Sequence, residues 1–200
     1  MGKKYNSGIN IMGSIPDYNS MIEYIIEEQS AVEGSGSFQF RTAKSLKRFI
    51  AGMEESLLVF KDAQHKKLFY DGLTSTELSS KDKLMIVFWQ MLYGNIMFRD
   101  ITGEVFMKAV YQGRSSLSGD DVYSFVRHLK DQKPGELDWS DLTLKTIASK
   151  YLTAMKKFGL ADGGTRKEIC YPSIGNSLFV YFIRWCQSVC PENISCSIGT

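Results

Sequence analysis

Apolar residues recur at helical spacing along most of the chain. At 100° per residue, the apolar positions of segment 42–60 fall in one stripe about 80° wide, which predicts an amphipathic helix with this stripe as its buried side. The members of the stripe are Leu46, Ile50, Met53, Leu57 and Phe60. The same periodicity predicts six further helices, at 17–29, 62–70, 95–112, 119–133 and 142–158 and around 178–185. Segment 81–93 is apolar all round, which predicts a central, buried helix.

Alternation of the kind that strands show is scarce. The segment LADGGTRKEICYP (160–172) is interpreted as two short extended pieces around a Gly-Gly turn. The residues before 17 are expected to form a short extended start, and 113–119 a loop. The predicted fold is therefore all-α, a compact multi-helix fold with one short, wing-like β-hairpin near 160–171.

Length and composition fit a folded globular protein. The chain has 200 residues, of which 44% are hydrophobic and 12% aromatic, enough for one well-packed core or two small lobes. Two domain organisations stay open: one unit over 1–200, or an N-terminal lobe at 7–115 and a C-terminal lobe at 116–190. In both, 191–200 is expected to be a flexible tail.

Charge is distributed unevenly along the chain, although the net charge is only +2. Residues 17–33 carry five acidic residues and no basic one. Residues 41–67, the first basic segment, carry seven basic residues against three acidic ones. Residues 140–168, the second basic segment, carry six against three. Because affinity for a polyanion follows local positive charge, this segregation favours a polyanion-binding surface.

Neither a secretory signal nor a membrane span is predicted. The first ten residues, MGKKYNSGIN, lack an apolar stretch. The most apolar segment, 84–98, is interrupted by Gln90, Gly94 and Asn95 and is shorter than a spanning helix. We therefore expect a cytoplasmic protein without membrane insertion. The four cysteines, at 170, 186, 190 and 196, have no histidine nearby and are interpreted as free thiols rather than zinc ligands.

Candidate catalytic groups are few. The two histidines, His65 and His128, each lie beside basic residues in a predicted helix and are interpreted as ordinary surface or boundary residues. The acidic pair Asp120 and Asp121 precedes an amphipathic helix and is assigned to helix capping with Ser118. Phosphate-binding and hydrolase motifs are missing from the sequence. We expect a protein that is not an enzyme and needs no cofactor or metal.

The two basic segments are the remaining signal. A row of lysines is most often only the solvated face of a helix, but Arg41, Lys44 and Arg48 lie almost opposite the apolar stripe, and a second segment repeats the pattern. Cations in the N-terminal half of a helix suit phosphate contacts, and short hydroxyl side chains can reach base edges. The candidate DNA-contacting residues are Arg41, Thr42, Lys44, Ser45, Lys47, Arg48, Lys145, Thr146, Ser149, Lys150, Lys156, Lys157, Arg166 and Lys167.

The order of elements in the second basic segment favours the same function. Two helices followed by a hairpin with Arg166 and Lys167 near its tip form the order of a winged helix-turn-helix. In that arrangement the second helix enters the major groove and the hairpin touches the backbone or the minor groove. The connection KPGELDWS (133–140) is longer than the usual tight turn, so the motif would be a variant.

Three blocks of sequence resemble the BrxA family of BREX (bacteriophage exclusion) phage-defence systems. The blocks are FRTAKSLKRFIAGMEESLLVF (40–60), DWSDLTLKTIASKYLTAMKKFGLADG (138–163) and EICYPSIGNSLFVYF (168–182). In the first block the family carries a similar Arg-Ser/Thr, Ala-Lys helix start. The order and spacing of the blocks agree over roughly 7–185. Gly52 and the cysteine-bearing tail after Trp185 are not part of this pattern.

The resemblance implies an all-helical, monomeric protein without catalytic activity. It also implies two helix-turn-helix-like elements that bind double-stranded DNA, and other BREX proteins as partners. Carried over by position, the two elements correspond to Arg41, Lys44, Lys47 and Arg48, and to Lys145, Thr146, Ser149 and Lys150 with Arg166 and Lys167.

The leading hypothesis is a double-stranded DNA-binding component of a phage-defence system. The alternative is a helical adaptor that docks onto a larger defence enzyme through protein contacts. An RNA partner is a third and weaker hypothesis, because the aromatic motifs of single-strand binders are missing.

Overall fold

The computed structural model describes residues 5–29 and 42–190. The protein is mostly helical with a small antiparallel sheet, which confirms the predicted all-α class with a short hairpin. The helices are α1 (Ile9–Met12), α2 (Tyr18–Gln29), α3 (Ala43–Ser56), α4 (Ala63–Thr74), α5 (Ser80–Gly94), α6 (Ile96–Ile101), α7 (Lys108–Tyr111), α8 (Gly119–Gln132), α9 (Asp141–Lys157) and α10 (Asn176–Val189). The strands are β1 (Ser116–Leu117), β2 (Ala161–Asp162) and β3 (Lys167–Ile169). The predicted tail, 191–200, lies outside the described residues.

Helix α5 is the centre of the hydrophobic core. Every side chain from Met85 to Met91 is buried, as expected for a helix that is apolar all round. The helix begins with a capping box, in which Ser79 and Asp82 satisfy each other's backbone N–H groups. It packs against α2, α3, α4, α6 and α10.

The helix predicted at 95–112 is interrupted by a π-helical segment, Thr102–Met107, between α6 and α7. At its start the Thr102 hydroxyl donates to the carbonyl oxygen of Phe98 at 2.7 Å. The buried hydroxyl of Tyr151 in α9 donates to the Thr102 oxygen at 3.2 Å. This chain of hydrogen bonds anchors α9 to the middle of the fold.

The buried face of α3 differs from the predicted stripe. The helix ends at Ser56, and its buried residues are Phe49, Gly52, Met53 and Ser56, whereas Leu46 and Ile50 are only partly buried. The buried face is thus turned by roughly 70° from the predicted one. The prediction that the helix runs to Phe60 was wrong because Leu57 leaves helical geometry to enter the core beyond the helix end.

The predicted extended start was also wrong, because residues Ile9–Met12 form α1. This short helix packs against both α3 and α9. Glycines permit the close approach on each side: a Cβ atom on Gly52 would lie 2.6 Å from the Ile11 side chain, and one on Gly13 would lie 2.4 Å from the Lys150 carbonyl oxygen. Four residues are too few for periodicity to reveal such a helix.

The hairpin belongs to a three-stranded sheet in the order β1-β3-β2. Strands β2 and β3 form the predicted hairpin, with Ala161 opposite Ile169. Strand β1 comes from the segment predicted as a loop and pairs antiparallel with β3, with Ser116 opposite Glu168. Two residues carry no detectable alternation, so this strand could be found only from its pairing.

Candidate nucleic-acid interface

The first basic segment presents a row of cations on α3. Lys44, Lys47 and Arg48, which we call the α3 basic face, are all exposed. Thr42 caps the helix: its side-chain oxygen accepts from the Ser45 N–H at 3.1 Å, and the two hydroxyls lie 2.9 Å apart. Arg41, the remaining candidate of this segment, lies outside the described residues.

The order of charges along α3 opposes the helix dipole. A helix is stabilised by acidic residues near its N-terminus and by basic residues near its C-terminus. In α3 the first turn has no acidic residue and the last turn has no basic one, and Glu54 and Glu55 stand near the C-terminus instead. Each unfavourable placement costs about 0.3–1 kcal/mol at low salt. The stability of the helix therefore does not explain the α3 basic face.

The α3 basic face also lacks ion pairs within residues 5–29 and 42–190. The salt bridges found there involve other cations. Arg48 and Ser45 border a groove between α3 and α1, together with Asn10 and Ile11. Within the described part of the chain, no carboxylate competes with a negatively charged partner for the three exposed cations.

Helix α9 shows the opposite arrangement of charge. Asp141 stands in its first turn and Lys156 and Lys157 in its last, the order that the dipole favours. Lys145 pairs with Asp141, with Nζ and Oδ2 3.0 Å apart. The hydrogen bond that Lys145 donates to the Asp141 carboxylate raises the pKa of Lys145.

The last two lysines of α9 differ from each other. Lys156 is exposed and pairs with Asp162 of β2, with Nζ and Oδ1 2.7 Å apart. Lys157 donates to the carbonyl oxygens of Gly13 and Ile15, and its Nζ lies 5.3 Å from the centre of the Tyr18 ring. Burial lowers the pKa of Lys157. Lys157 therefore joins α9 to the segment after α1, and we leave it out of the proposed interface.

The hairpin cations are held close to the protein. Arg166 donates from Nε to the Ser116 hydroxyl of β1 at 2.7 Å. Lys167 donates to the carbonyl oxygens of Gly163 and Gly164 in the turn. Arg166 remains exposed and Lys167 partly so, since these contacts occupy only part of each donor group.

Two hydroxyl residues of α9, Ser149 and Thr153, line an open groove. Thr146 donates to the carbonyl oxygen of Leu142 at 2.8 Å, whereas Ser149 is exposed. The groove runs between the start of α8, the outer side of α9 and the hairpin turn. Its polar lining includes Asp120, Tyr123, Lys145, Ser149, Thr153 and Lys167.

Helix α1 connects the two candidate regions. Arg48 of α3 borders α1 through the groove, and the backbone of Lys150 in α9 touches Gly13 at the end of α1. The sequence did not predict this connection, because α1 itself was predicted as extended. Helix α1 depends on contacts with residues far away in the chain, so the local sequence carries no signal for it.

Other sequence interpretations have mixed outcomes. His65, interpreted as a surface or boundary residue, is fully buried, so that interpretation was wrong. His128 is exposed and hydrogen-bonded to Gln132 at 2.9 Å. The capping box of Ser118 and Asp121 is confirmed. The described part of the chain contains no group of three or more histidine, cysteine or acidic residues that could hold a metal ion.

Comparison with protein families identifies the chain. The model of the family BrxA matches residues 27–184, which include α3, α8, α9 and the hairpin. The chain belongs to the BrxA family. As a BrxA protein, it is a component of a BREX phage-defence system. Among curated proteins, none matches this BrxA chain. Within 5–29 and 42–190, none of its helices combines the length and apolar character that a bilayer span needs.

Proposed function

We propose that this protein is a non-enzymatic, double-stranded DNA-binding component of its BREX system. It acts in the cytoplasm as a monomer, and the α3 basic face supplies its main phosphate contacts. Phosphate contacts provide most of the affinity of such binding and make it strongly dependent on salt.

The inverted order of charges on α3 carries this proposal. Lys44 stands in the first turn of α3 and Glu54 and Glu55 stand in its last, where the helix dipole disfavours each charge, and no ion pair within the described residues relieves the cations of the α3 basic face. A local arrangement that works against stability points to a functional demand. The N-terminal half of a helix is also where exposed N–H groups and the dipole attract phosphate.

A second observation favours DNA over other polyanions. The order α7, β1, α8, α9, β2, β3, with β1 paired to β3, corresponds to the order of a winged helix-turn-helix. In such a motif α9 would enter the major groove, with Lys145 and Ser149 on its exposed side. The hairpin with Arg166 and Lys167 would approach the backbone.

The test is a fluorescence-anisotropy titration of duplex DNA at two salt concentrations. We expect the triple variant K44E/K47E/R48E to bind at least tenfold more weakly. We expect its slope of log K against log salt to become shallower by about 0.9 for each phosphate that the variant no longer neutralises. The matched control is K66E/K67E/K81E, which makes the same charge change on exposed residues of α4 and α5. Equally weakened binding in both triple variants would contradict a specific role for α3.

A second candidate function, the adaptor, is favoured by α10. Phe179, Val180 and Ile183 are 55%, 50% and 37% exposed and lie on the side opposite the buried Leu178 and Trp185. We propose that an apolar surface of another BREX protein covers this face. The S177E variant provides a control at an exposed position beside it. Co-expressed BREX proteins should co-purify after nuclease treatment with wild type and S177E but not with I183E.

A further inference from the structure

Asp141, at the start of α9, contacts the side chains of Tyr123 and Lys145. One carboxylate oxygen, Oδ1, accepts a hydrogen bond from the Tyr123 hydroxyl of α8. The other, Oδ2, pairs with Lys145 one turn later in α9 at 3.0 Å. Arg127 approaches the same Tyr123 oxygen at 3.5 Å, and the Lys145 ammonium lies 5.8 Å from the Tyr123 ring centre. Both oxygens of Asp141 are thus engaged, one by each helix of the pair.

This cluster lies on the outer side of the helix pair. Asp141 and Lys145 are exposed, and Lys145 lines the groove between α8, α9 and the hairpin turn. Lys145 is also a candidate phosphate-contacting residue of the proposed DNA-binding surface. Its charge, however, is neutralised in the free protein by a carboxylate of its own helix.

We propose that Asp141 is an affinity-limiting residue: it occupies Lys145 and places a negative charge where the DNA backbone would approach. This inference rests on the proposed function. A phosphate must displace the carboxylate to reach Lys145, so part of the free energy of the new ion pair is offset by breaking the existing one. The repulsion between Asp141 and phosphate acts in the same direction.

Limiting sequence-independent affinity has a physical use for a DNA-binding protein. A protein that binds any duplex tightly is occupied by non-specific sites, which far outnumber specific ones. A carboxylate beside a phosphate-contacting lysine weakens binding to all sequences alike. Contacts from exposed hydroxyls such as Ser149 then make a larger relative contribution to the total free energy of DNA binding.

Asp141 also contributes to the stability of the helix pair, and this contribution is distinct from its effect on DNA affinity. An acidic residue in the first turn and an i,i+4 pair with lysine both favour helix formation. The hydrogen bond from Tyr123 also holds α8 against α9. The variant D141N removes the charge, and Y123F removes the hydrogen bond while keeping the charge.

The experiment measures duplex affinity and its salt dependence for wild type, D141N, Y123F and D71N. Asp71 provides the matched control, because it forms the same kind of exposed i,i+4 pair, with Lys67 at 2.6 Å, in α4. We expect D141N to bind about fivefold more tightly at 0.1 M salt, with a slope steeper by about 0.9. D71N and Y123F should bind within about twofold of wild type, because neither frees Lys145.

The outcomes separate the two proposals. If wild type does not bind duplex DNA at low salt, the proposed function fails. If wild type binds but D141N has unchanged or lower affinity, the role of Asp141 is refuted while the proposed function stands. If D71N binds as tightly as D141N, the increase follows net charge and not the position of Asp141. If Y123F reproduces the increase, the cause is a change in helix packing, and the proposal fails as well.

Discussion

The imidazole of His65 and the side-chain amide of Gln90 form a buried hydrogen bond of 2.8 Å between α4 and α5. Its direction is set by the neighbouring groups. The Gln90 nitrogen donates to the carbonyl oxygens of Leu57 and Val59 at 3.0 and 2.7 Å, so the Gln90 oxygen must accept. His65 therefore donates from Nε2, and its unprotonated Nδ1 accepts the backbone N–H of Lys61 at 3.2 Å. The pair holds the segment that joins α3 to α4.

We expect Gln90→Met to destabilise the protein by about 3 kcal/mol, because it leaves buried carbonyl groups and the His65 N–H without partners. Methionine keeps a similar side-chain volume, so the decrease in stability reports the hydrogen bonds and not a cavity. Equilibrium unfolding in urea measures the change. A decrease below about 0.5 kcal/mol would contradict this account.

Two glycine substitutions should have opposite effects. In Gly13→Ala the new methyl group would lie 2.4 Å from the Lys150 carbonyl oxygen, so α1 must move away from α9, and we expect the protein to be destabilised by about 1–3 kcal/mol. Gly103 is exposed, and a new Cβ there would have no atom within 4 Å apart from its chain neighbours and its own helix backbone, so Ala should stabilise by up to about 1 kcal/mol. Thermal unfolding gives the melting temperatures of the two variants and of the wild type. Equal melting temperatures would contradict the close packing of α1 on α9.

Asp121 should contribute stability that depends on pH. Desolvation by itself would raise the pKa of Asp121, but the hydrogen bonds from Ser118 and Arg114 outweigh it and lower the pKa below the ordinary 3.8. Because the pKa of the folded state is the lower one, the contribution is complete above the ordinary pKa and disappears as pH falls through the folded value.

We therefore expect Asp121→Asn to cost about 1–2 kcal/mol at pH 7 and much less at pH 2–3. Urea unfolding at both pH values measures the difference. Asp120→Asn is the control, since Asp120 is exposed in the same first turn, and it should cost only a few tenths of a kcal/mol. A destabilisation by Asp121→Asn that is independent of pH would exclude the carboxylate as its source.

The two adjacent lysines at the end of α9 should contribute unequally to the stability of the protein. Lys157→Met removes hydrogen bonds to the Gly13 and Ile15 carbonyl groups, and we expect it to destabilise the protein by about 1–3 kcal/mol. Lys156→Met removes an exposed ion pair with Asp162 and should change stability by less than about 1 kcal/mol. Chemical unfolding gives both values. The reverse order of effects would show that Lys157 does not join α9 to the segment after α1.

Regular periodicity made most helices predictable. The predicted segments 17–29, 81–93 and 142–158 agree closely with α2, α5 and α9, because α2 and α9 bury a continuous apolar side and α5 is apolar all round. The short elements α1 and β1, of four and two residues, were not predictable, since they are stabilised by their neighbours and have no turn signal of the kind that marked the hairpin. The rotation of the buried face of α3 has the same origin: Gly52 lies against Ile11, a residue forty-one positions earlier.

The candidate site was likewise predictable in part. Its residue types and the two basic segments were evident from composition along the chain, as was the resemblance to the BrxA family that the family match confirms. The i,i+4 spacing of Asp141 and Lys145 could have shown that this lysine is paired. No local pattern could show that Lys157 points into the protein or that Arg48 borders α1.

The sequence by itself determined which segments become helices and where positive charge accumulates, because helix periodicity and net segment charge depend only on nearby residues. Tertiary contacts decided which cations stay exposed on α3, that Lys156 pairs with Asp162 and Lys157 with carbonyl groups after α1, and how α1 joins the two helices. Those outcomes depend on burial and on contacts between residues far apart in the chain, and the free energy of such contacts is not encoded in any one segment.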